Sequence, residues 1–491
     1  MTLSRAGIHK LIKESPETVV DLILSFAEQA KAMEKQAQQI EQLQKQVAEL
    51  KQQIGKNSQN SHKPPSTDGL QRPAPKSQRR GGGKRGRQPG HRGETRRQVE
   101  TPDEVVEHRP VFCSHCEHEL EDVEGIRIEK RQVFDVVIER KVVEHRCVSG
   151  KCPICGGAVR GSFPEGVQGP VQYGNGIQAL VVYLSVYQHI PAERMAELLG
   201  TLLGGQNPST GTIMNMLSRA GDKVAPHVDH IREALLNEEV LHCDETGIRA
   251  VKKKWLHVVS SRRYTYYQAH EKRGYAAIAD MGILPRFSGV MVHDFWKTYF
   301  NGNLPGHHAM CNDHLLRELQ GIIDTRPDQT WAHRMQTYLR ESWKEVKIAR
   351  QSATGQLPDA RSRELTITYG HILKEAEEEL KALTPRRVKR RKNAALSDAE
   401  SLWRRFVEYG EAILRFIHDP RVPFGNSQAE RDIRMMKVKL KVSGTFRTDR
   451  GADLFADLRS FVSSARKQGW DAFSALRLML ADSFSFSGLA T

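Results

Sequence analysis

The chain has no hydrophobic stretch long enough to cross a membrane. Its longest largely apolar segment, Ile177–Tyr187, is 11 residues, and a spanning helix needs about 20. No apolar run follows the opening Met-Thr-Leu-Ser-Arg either, so no secretory signal is expected. Acids are too few to balance the bases. The 74 Lys and Arg residues face 59 Asp and Glu, leaving a net charge of +15 and a pI near 9.4. Such an excess fits a polyanionic partner, nucleic acid first. Cysteine is scarce too. Four of the seven stand in two C-x-x-C pairs, which points to metal in a reducing compartment rather than to disulfides. What remains is a 491-residue chain, enough for about three domains and a sizeable core.

Residues 1–56 read as one long helix. Leu22, Phe26, Gln29, Met33, Gln36, Ile40, Leu43, Val47, Leu50 and Ile54 alternate steps of four and three. That spacing makes a seam for a partner helix, so a homo-oligomeric coiled coil is expected; the other reading is a helix folded back on its own protein. Residues 57–100 lose the pattern. Between Arg72 and Arg97 stand ten basic residues, one acid and no aromatic residue, the composition of a disordered basic linker. Arg79, Arg80, Lys84, Arg85 and Arg87 are its DNA-binding candidates. Arg85-Gly86-Arg87-Gln88-Pro89 is close to an AT-hook core, which would enter a narrow minor groove. A tail that holds phosphates without sequence preference is the alternative.

Residues 101–165 carry the paired cysteines. Cys113/Cys116 and Cys152/Cys155 are two knuckles that together would hold one structural zinc tetrahedrally, with Cys147, His115 and His118 as substitute ligands. Between them, about 126–147, Val133, Val136, Ile138 and Val142 alternate with charge like a strand pair, giving a zinc-ribbon-like layout. Residues 170–236 read as helices, compatible with a helix-turn-helix or with any small helical bundle.

Residues 237–470 have a specific order. Val240–Thr246, Trp255–Ser261 and Tyr264–His270 read as strands, Gly274–Met281 as a helix, and Gly289–Asp294 as a fourth strand; helices are expected from His307 onward. This is the order of a ribonuclease H-like core, in which acids at the ends of the first and fourth strands lie side by side. Two magnesium ions about 3.5–4 Å apart, flanking a scissile phosphate, need such anionic oxygens. The fold class is therefore multidomain α/β: the coiled coil, linker, zinc module and helical region precede a ribonuclease H-like catalytic core.

Several separate blocks resemble the transposases of the insertion sequence 66 family. They are Val240-Leu-His-Cys-Asp-Glu-Thr-Gly247, Val292-His-Asp-Phe-Trp-Lys-Thr-Tyr299, Cys311-Asn-Asp-His-Leu-Leu-Arg-Glu-Leu319, Asn426-Ser-Gln-Ala-Glu-Arg-Asp-Ile-Arg434 and Val442-Ser-Gly-Thr-Phe-Arg447. The Gln59–Ser66 segment and the zinc region match as well. The resemblance implies a DDE triad of Asp244, Asp294 and Glu430, with two Mg2+ or Mn2+ ions per site. It also implies cleavage and strand transfer at terminal inverted repeats of double-stranded DNA, with small accessory proteins of the same element as partners and a bacterial, cytoplasmic, nucleoid-associated setting. Residues of about 341–412 then form a helical insertion bearing Arg386, Arg387, Lys389, Arg390 and Arg391, which would grip phosphates or form a solvated loop. Arg431 and Arg434 flank the glutamate as further DNA contacts, and 471–491 is a C-terminal tail.

Two positions depart from the family pattern. Gly425 stands where an aspartate is common. That aspartate would be a helix cap, which Asn426 or Ser427 could replace, or a metal-assisting acid, whose loss would leave the copy inactive. Asp313 stands where a small residue is usual, and is expected to lie outside the metal pair. Two other functions remain open from sequence. One is a decayed copy acting as a zinc-containing DNA-binding protein; the other is a nuclease that cuts without joining.

Overall fold

The computed structural model describes residues 12, 14–55, 60, 95–121, 127–205, 207–382 and 397–486. The bases at Arg79–Arg87 and Arg386–Arg391 lie outside them. The chain divides into two compact units, one of Met1–Ala74, Tyr173–Met195 and Thr210–Thr491, the other of Pro75–Gln172 and Ala196–Ser209. No helix among the described residues is long and apolar enough to cross a membrane.

In the first unit, α1 (Pro16–Gly55) is the long N-terminal helix. Its seam residues Phe26, Met33, Ile40, Leu43 and Val47 are all exposed. Helices α2 (Asn175–Val182), α3 (Ala192–Leu203) and α4 (Thr210–Leu236) precede the sheet, and the unit boundary falls inside α3. On α4, Ile213, Met216, Leu217, Ala220, Val224, Val228, Ile231 and Leu235 recur every three or four residues and are buried.

The second unit holds β1 (Ser149–Lys151) and β2 (Ala158–Arg160), paired antiparallel. The strand pair expected over 126–147 is absent: residues 127–148 form no ladder. Val133, Val136, Ile138 and Val142 all face solvent. Alternation makes a strand only where another layer covers the apolar face, and none of the described residues covers this one.

The sheet of the first unit has five strands: β3 (Val240–Arg249), β4 (Lys253–Ser260), β5 (Thr265–His270), β6 (Val290–His293) and β7 (His307–Met310), in the order β5-β4-β3-β6-β7. β3, β4 and β5 form an antiparallel meander, whereas β6 and β7 run parallel to β3. Helix α5 (Tyr275–Met281) lies in the crossover from β5 to β6. Strand β7 corrects the expectation of helix from His307. Four residues carry too little periodicity to declare themselves, and pairing with β6, from Val290↔His307 to His293↔Met310, decides their conformation.

Helices α6 (Asn312–Thr325), α7 (Thr330–Ala349), α8 (Asp359–Ala382), α9 (Asp398–Glu408) and α10 (Gly410–His418) follow. The insertion limits drawn at 341 and 412 fall inside α7 and α10, because the apolar stripes run on through both points. Trp331, Leu339, Phe406, Ile413 and Phe416 form a core continuous with Val290, Val292 and Ala309 of the sheet.

Helices α11 (Ser427–Val442), α12 (Asp449–Lys467) and α13 (Ala472–Leu480) close the unit. The edge strand β5 is sealed by α12: Tyr267 and Thr265 N–H groups donate to Ser460 Oγ (2.8 Å) and Ser464 Oγ (2.9 Å). Helix α12 also lies against α4, where Gly221 makes room for Leu454; a Cβ there would stand 2.2 Å from its Cδ1. One face of α4 thus belongs to the core of this unit. The tail placed at 471–491 is likewise structured in part. Asp471 caps α13 by accepting the Ser474 N–H (2.8 Å), and Leu476 and Met479 are buried.

Candidate active site

Strand β3 carries consecutive acids, and the pleat sends them to different environments. Glu245 is almost fully buried and paired: Arg273 Nη2 donates to it at 2.7 Å and the Tyr299 hydroxyl at 2.7 Å. It is spent on structure. Asp244 has no such cation. Its carboxylate accepts the Glu245 N–H (2.8 Å), and burial raises its pKa well above the usual aspartate value, helped by Glu245, Asp294 and Glu430.

Asp294 directly follows β6, the parallel neighbour of β3, and its Oδ1 accepts the Trp296 N–H (3.0 Å). Glu430 lies in the first turn of α11. Its carboxyl is raised by burial, with Arg317 opposing and Asp313 and Asp294 adding. Its Oε1 is buried and receives no hydrogen bond. The three acids thus share one electrostatic neighbourhood. They do not form a closed cluster, for the only trio of metal-ligating atoms within 4.8 Å among the described residues is Cys311, His314 and Glu430.

Asn426 assembles this region. Asn426, one of the two residues weighed as a replacement cap, does occupy the N-cap position of α11, but its side chain makes no cap hydrogen bond. Instead Nδ2 donates to the Cys243 carbonyl (2.7 Å), while Oδ1 lies 2.9 Å from His242 Nδ1. Burial holds His242 down to about 4, so the ring is neutral near pH 7; with Asn426 Oδ1 the acceptor, its proton sits on Nδ1. The Asn426 N–H donates to Cys311 Sγ (3.1 Å). One buried residue therefore ties the glutamate helix to the strand of Asp244 and to the residue after β7. Sequence reasoning missed this role because Asn426 was weighed only as a cap.

Surplus negative charge and an undonated carboxylate oxygen fit a divalent cation with hard oxygen ligands. Asp244, Asp294 and Glu430 are the residues that could hold it. Arg431 and Arg434 project from the exposed side of α11. Asp432, two residues beyond Glu430, is excluded from this set, because it is paired with Lys467 at 2.6 Å.

The model of the Transposase IS66 family matches residues 170–454, more than half of the chain. The chain belongs to that family. Its membership points to a DNA-processing enzyme and, with it, divalent-metal use. A second model, a family of unknown function, matches residues 13–97 of this IS66 transposase-family chain. No curated protein matches it.

In the second unit each cysteine pair is built locally. Cys113 N–H donates to the His118 carbonyl (2.8 Å) and Glu117 N–H to the Cys113 carbonyl (2.9 Å). The bonds Cys152 N–H to Gly157 O and Gly156 N–H to Cys152 O, each 2.8 Å, repeat the turn. Backbone N–H groups at His115 and Cys116 lower the Cys113 thiol, and those of Cys155 and Ile154 lower Cys152. The four sulfurs do not gather into one group. Cys147 is engaged elsewhere, donating to the Gly161 carbonyl (2.8 Å).

Proposed function

We propose that this chain is a DDE transposase that cuts the 3′ ends of its element at terminal inverted repeats and joins them to target DNA. The observation that carries this reading is the mutual charge burden of Asp244, Asp294 and Glu430, delivered from two neighbouring strands and a late helix. The sheet order, with β3 central, an antiparallel meander on one side and parallel strands on the other, supports a ribonuclease H-like core. A pair of Mg2+ or Mn2+ ions would supply activation of the attacking oxygen and stabilisation of the leaving one. Asp244, Asp294 and Glu430 would hold those ions. Arg431 and Arg434, exposed beside Glu430, hold the DNA backbone. Water first cuts the strand to free a 3′-hydroxyl, which then attacks a target phosphodiester and releases a target 3′-hydroxyl.

The cysteine knuckles are read as one structural zinc site, closed when Cys113, Cys116, Cys152 and Cys155 share an ion. The exposed seam of α1 is read as a self-association surface; light scattering of the chain with and without residues 1–55 should show the loss of most association.

The test is an oligonucleotide carrying the inverted repeat. Magnesium or manganese should support cutting and joining, and calcium binding alone. Replacing Asp244, Asp294 or Glu430 by alanine should nearly abolish both steps and leave DNA affinity in place. Activity surviving any one of these changes overturns the assignment, and cutting without joining would favour a nuclease.

A further inference from the structure

Three side chains of metal-binding type converge where α6 and α11 begin. Cys311 is the N-cap of α6, and His314 stands three residues on, in its first turn. That spacing turns both side chains to one face. Glu430, in the first turn of α11, completes the group. A thiol sulfur, an imidazole nitrogen and a carboxylate oxygen thus lie within 4.8 Å of one another. His314 Nδ1 is 3.7 Å from Glu430 Oε1. Two ligands of one ion, each at about 2.0–2.2 Å, stand about 3–4 Å apart, so that pair is already in place.

The backbone holds the two helix ends in this relation. Asn312 N–H donates to the Phe424 carbonyl (3.0 Å), and Asn426 N–H to Cys311 Sγ (3.1 Å). His314 N–H donates back to the Cys311 carbonyl (3.2 Å), which fixes the turn between the two donors. Cys311 is buried, whereas the His314 and Glu430 side chains are 23% and 41% exposed, so an ion has a way in. Around Glu430, Asp313 and Asp294 set two negative charges against the positive charge of Arg317.

Donor chemistry decides what such a group takes. Mg2+ demands hard oxygens, and only one of these three atoms is an oxygen. Sulfur, nitrogen and oxygen together suit Zn2+, Co2+ or a similar borderline-soft ion. We propose that Cys311, His314 and Glu430 form a site for a zinc-class divalent cation, separate from the carboxylate site but sharing Glu430 with it. The Cys311 thiol releases its proton to solvent as the metal–sulfur bond forms. Occupation engages the Glu430 carboxylate, so zinc competes with the magnesium-type ions of the carboxylate site; this consequence alone rests on the transposase reading.

The experiment is Co2+ titration of the intact chain without DNA, under a reductant that is not a thiol, read by absorbance and equilibrium dialysis. Cys311→Ser and His314→Ala should each bind about one ion fewer than the wild type. The spectrum lost in His314→Ala should contain a thiolate-to-cobalt charge-transfer band, although that change removes no thiol. Ions held by Cys113, Cys116, Cys152 and Cys155 cancel in the comparison. His314 is part-exposed, so its replacement serves even if Cys311→Ser disturbs the buried turn, and the melting temperature checks both. Wild-type stoichiometry in His314→Ala, or a lost spectrum without the thiolate band, would overturn the proposal.

Asp244→Asn separates the two metal sites. It should keep the cobalt ion and its band; loss of both would mean that the carboxylates hold the ion and would sink the thiol site. If Asp244→Asn instead retains magnesium-dependent cleavage, the carboxylate reading fails while the cobalt site stands. Zn2+ should inhibit magnesium-supported cleavage by the wild type far more than by His314→Ala, and equal inhibition would refute the competition.

Discussion

Each cysteine knuckle closes within a few residues of chain, at Cys113–His118 and Cys152–Gly157, through backbone hydrogen bonds. The candidate carboxylate site instead takes Asp244 from β3, Asp294 from just after β6 and Glu430 from α11, and the buried Asn426 ties α11 to the strand of Asp244. A local site needs only its own turn and a metal to become rigid. A tertiary site needs the core first. It then carries the burden of concentrated like charge, visible in the raised carboxyls of Asp244 and Glu430. Perturbations should therefore separate the two regions.

The largest effect is expected from Asn426→Ala. It strips partners from His242 Nδ1 and the Cys243 carbonyl in a buried setting, which should cost about 2–4 kcal/mol and end strand joining. Denaturant unfolding followed by the fluorescence of buried Trp331 reads the loss, while zinc content should hold. A cost below about 1 kcal/mol would mean that the site is assembled without Asn426.

Asp244→Asn should act in the opposite direction on stability. Burial and neighbouring acids raise its folded pKa above the ordinary value of 3.8. The folded chain thus binds the proton more tightly, and stability falls as pH rises from the unfolded value through the folded one. At neutral pH the amide should make the cation-free chain more stable, by about 1 kcal/mol, while abolishing catalysis. Magnesium should raise the melting temperature of the wild type and leave that of the variant nearly unmoved. A destabilised variant would contradict the charge burden.

The smallest effect on the main unit should come from Cys113→Ser/Cys152→Ser. About one zinc per chain should disappear from elemental analysis, with the unfolding midpoint of the sheet-bearing unit unchanged. Absence of zinc from the wild type purified under reducing conditions would sink the shared site.

Much of the sheet was legible because its strands are strongly patterned. Val240, Leu241 and Cys243 lead straight to Asp244, and the Arg262-Arg263 turn separates two aromatic-rich runs that pair as β4 and β5. Long amphipathic helices such as α4 declare themselves in the same way, yet their burial partners do not. Spacing alone could not show that α4 would be laid against α12. Strand β7 was invisible for the opposite reason, being four residues long and dependent on the edge of β6. The apolar alternation of 127–148 misled because periodicity reports what a segment could bury, not whether a second layer exists to bury it.

By itself the sequence determined the element order from β3 to β6, the charge excess, the two thiol turns and the identities of the acids, since each can be read along the chain. The tertiary structure decided which of those acids are spent and which remain open. Glu245 and Asp432 each meet a cation at hydrogen-bond distance. Asp244 instead meets mainly other carboxyls, and Glu430 faces Arg317 and His314 (Nδ1 3.7 Å from Oε1) as well as Asp313 and Asp294. It also joined what had read as two separate departures. Gly425 lacks a side chain and Asp313 carries an unexpected one, and the fold sets them face to face. Contacts between residues distant in sequence are made only when the core brings their elements together, so neither pattern nor spacing could have placed that carboxyl.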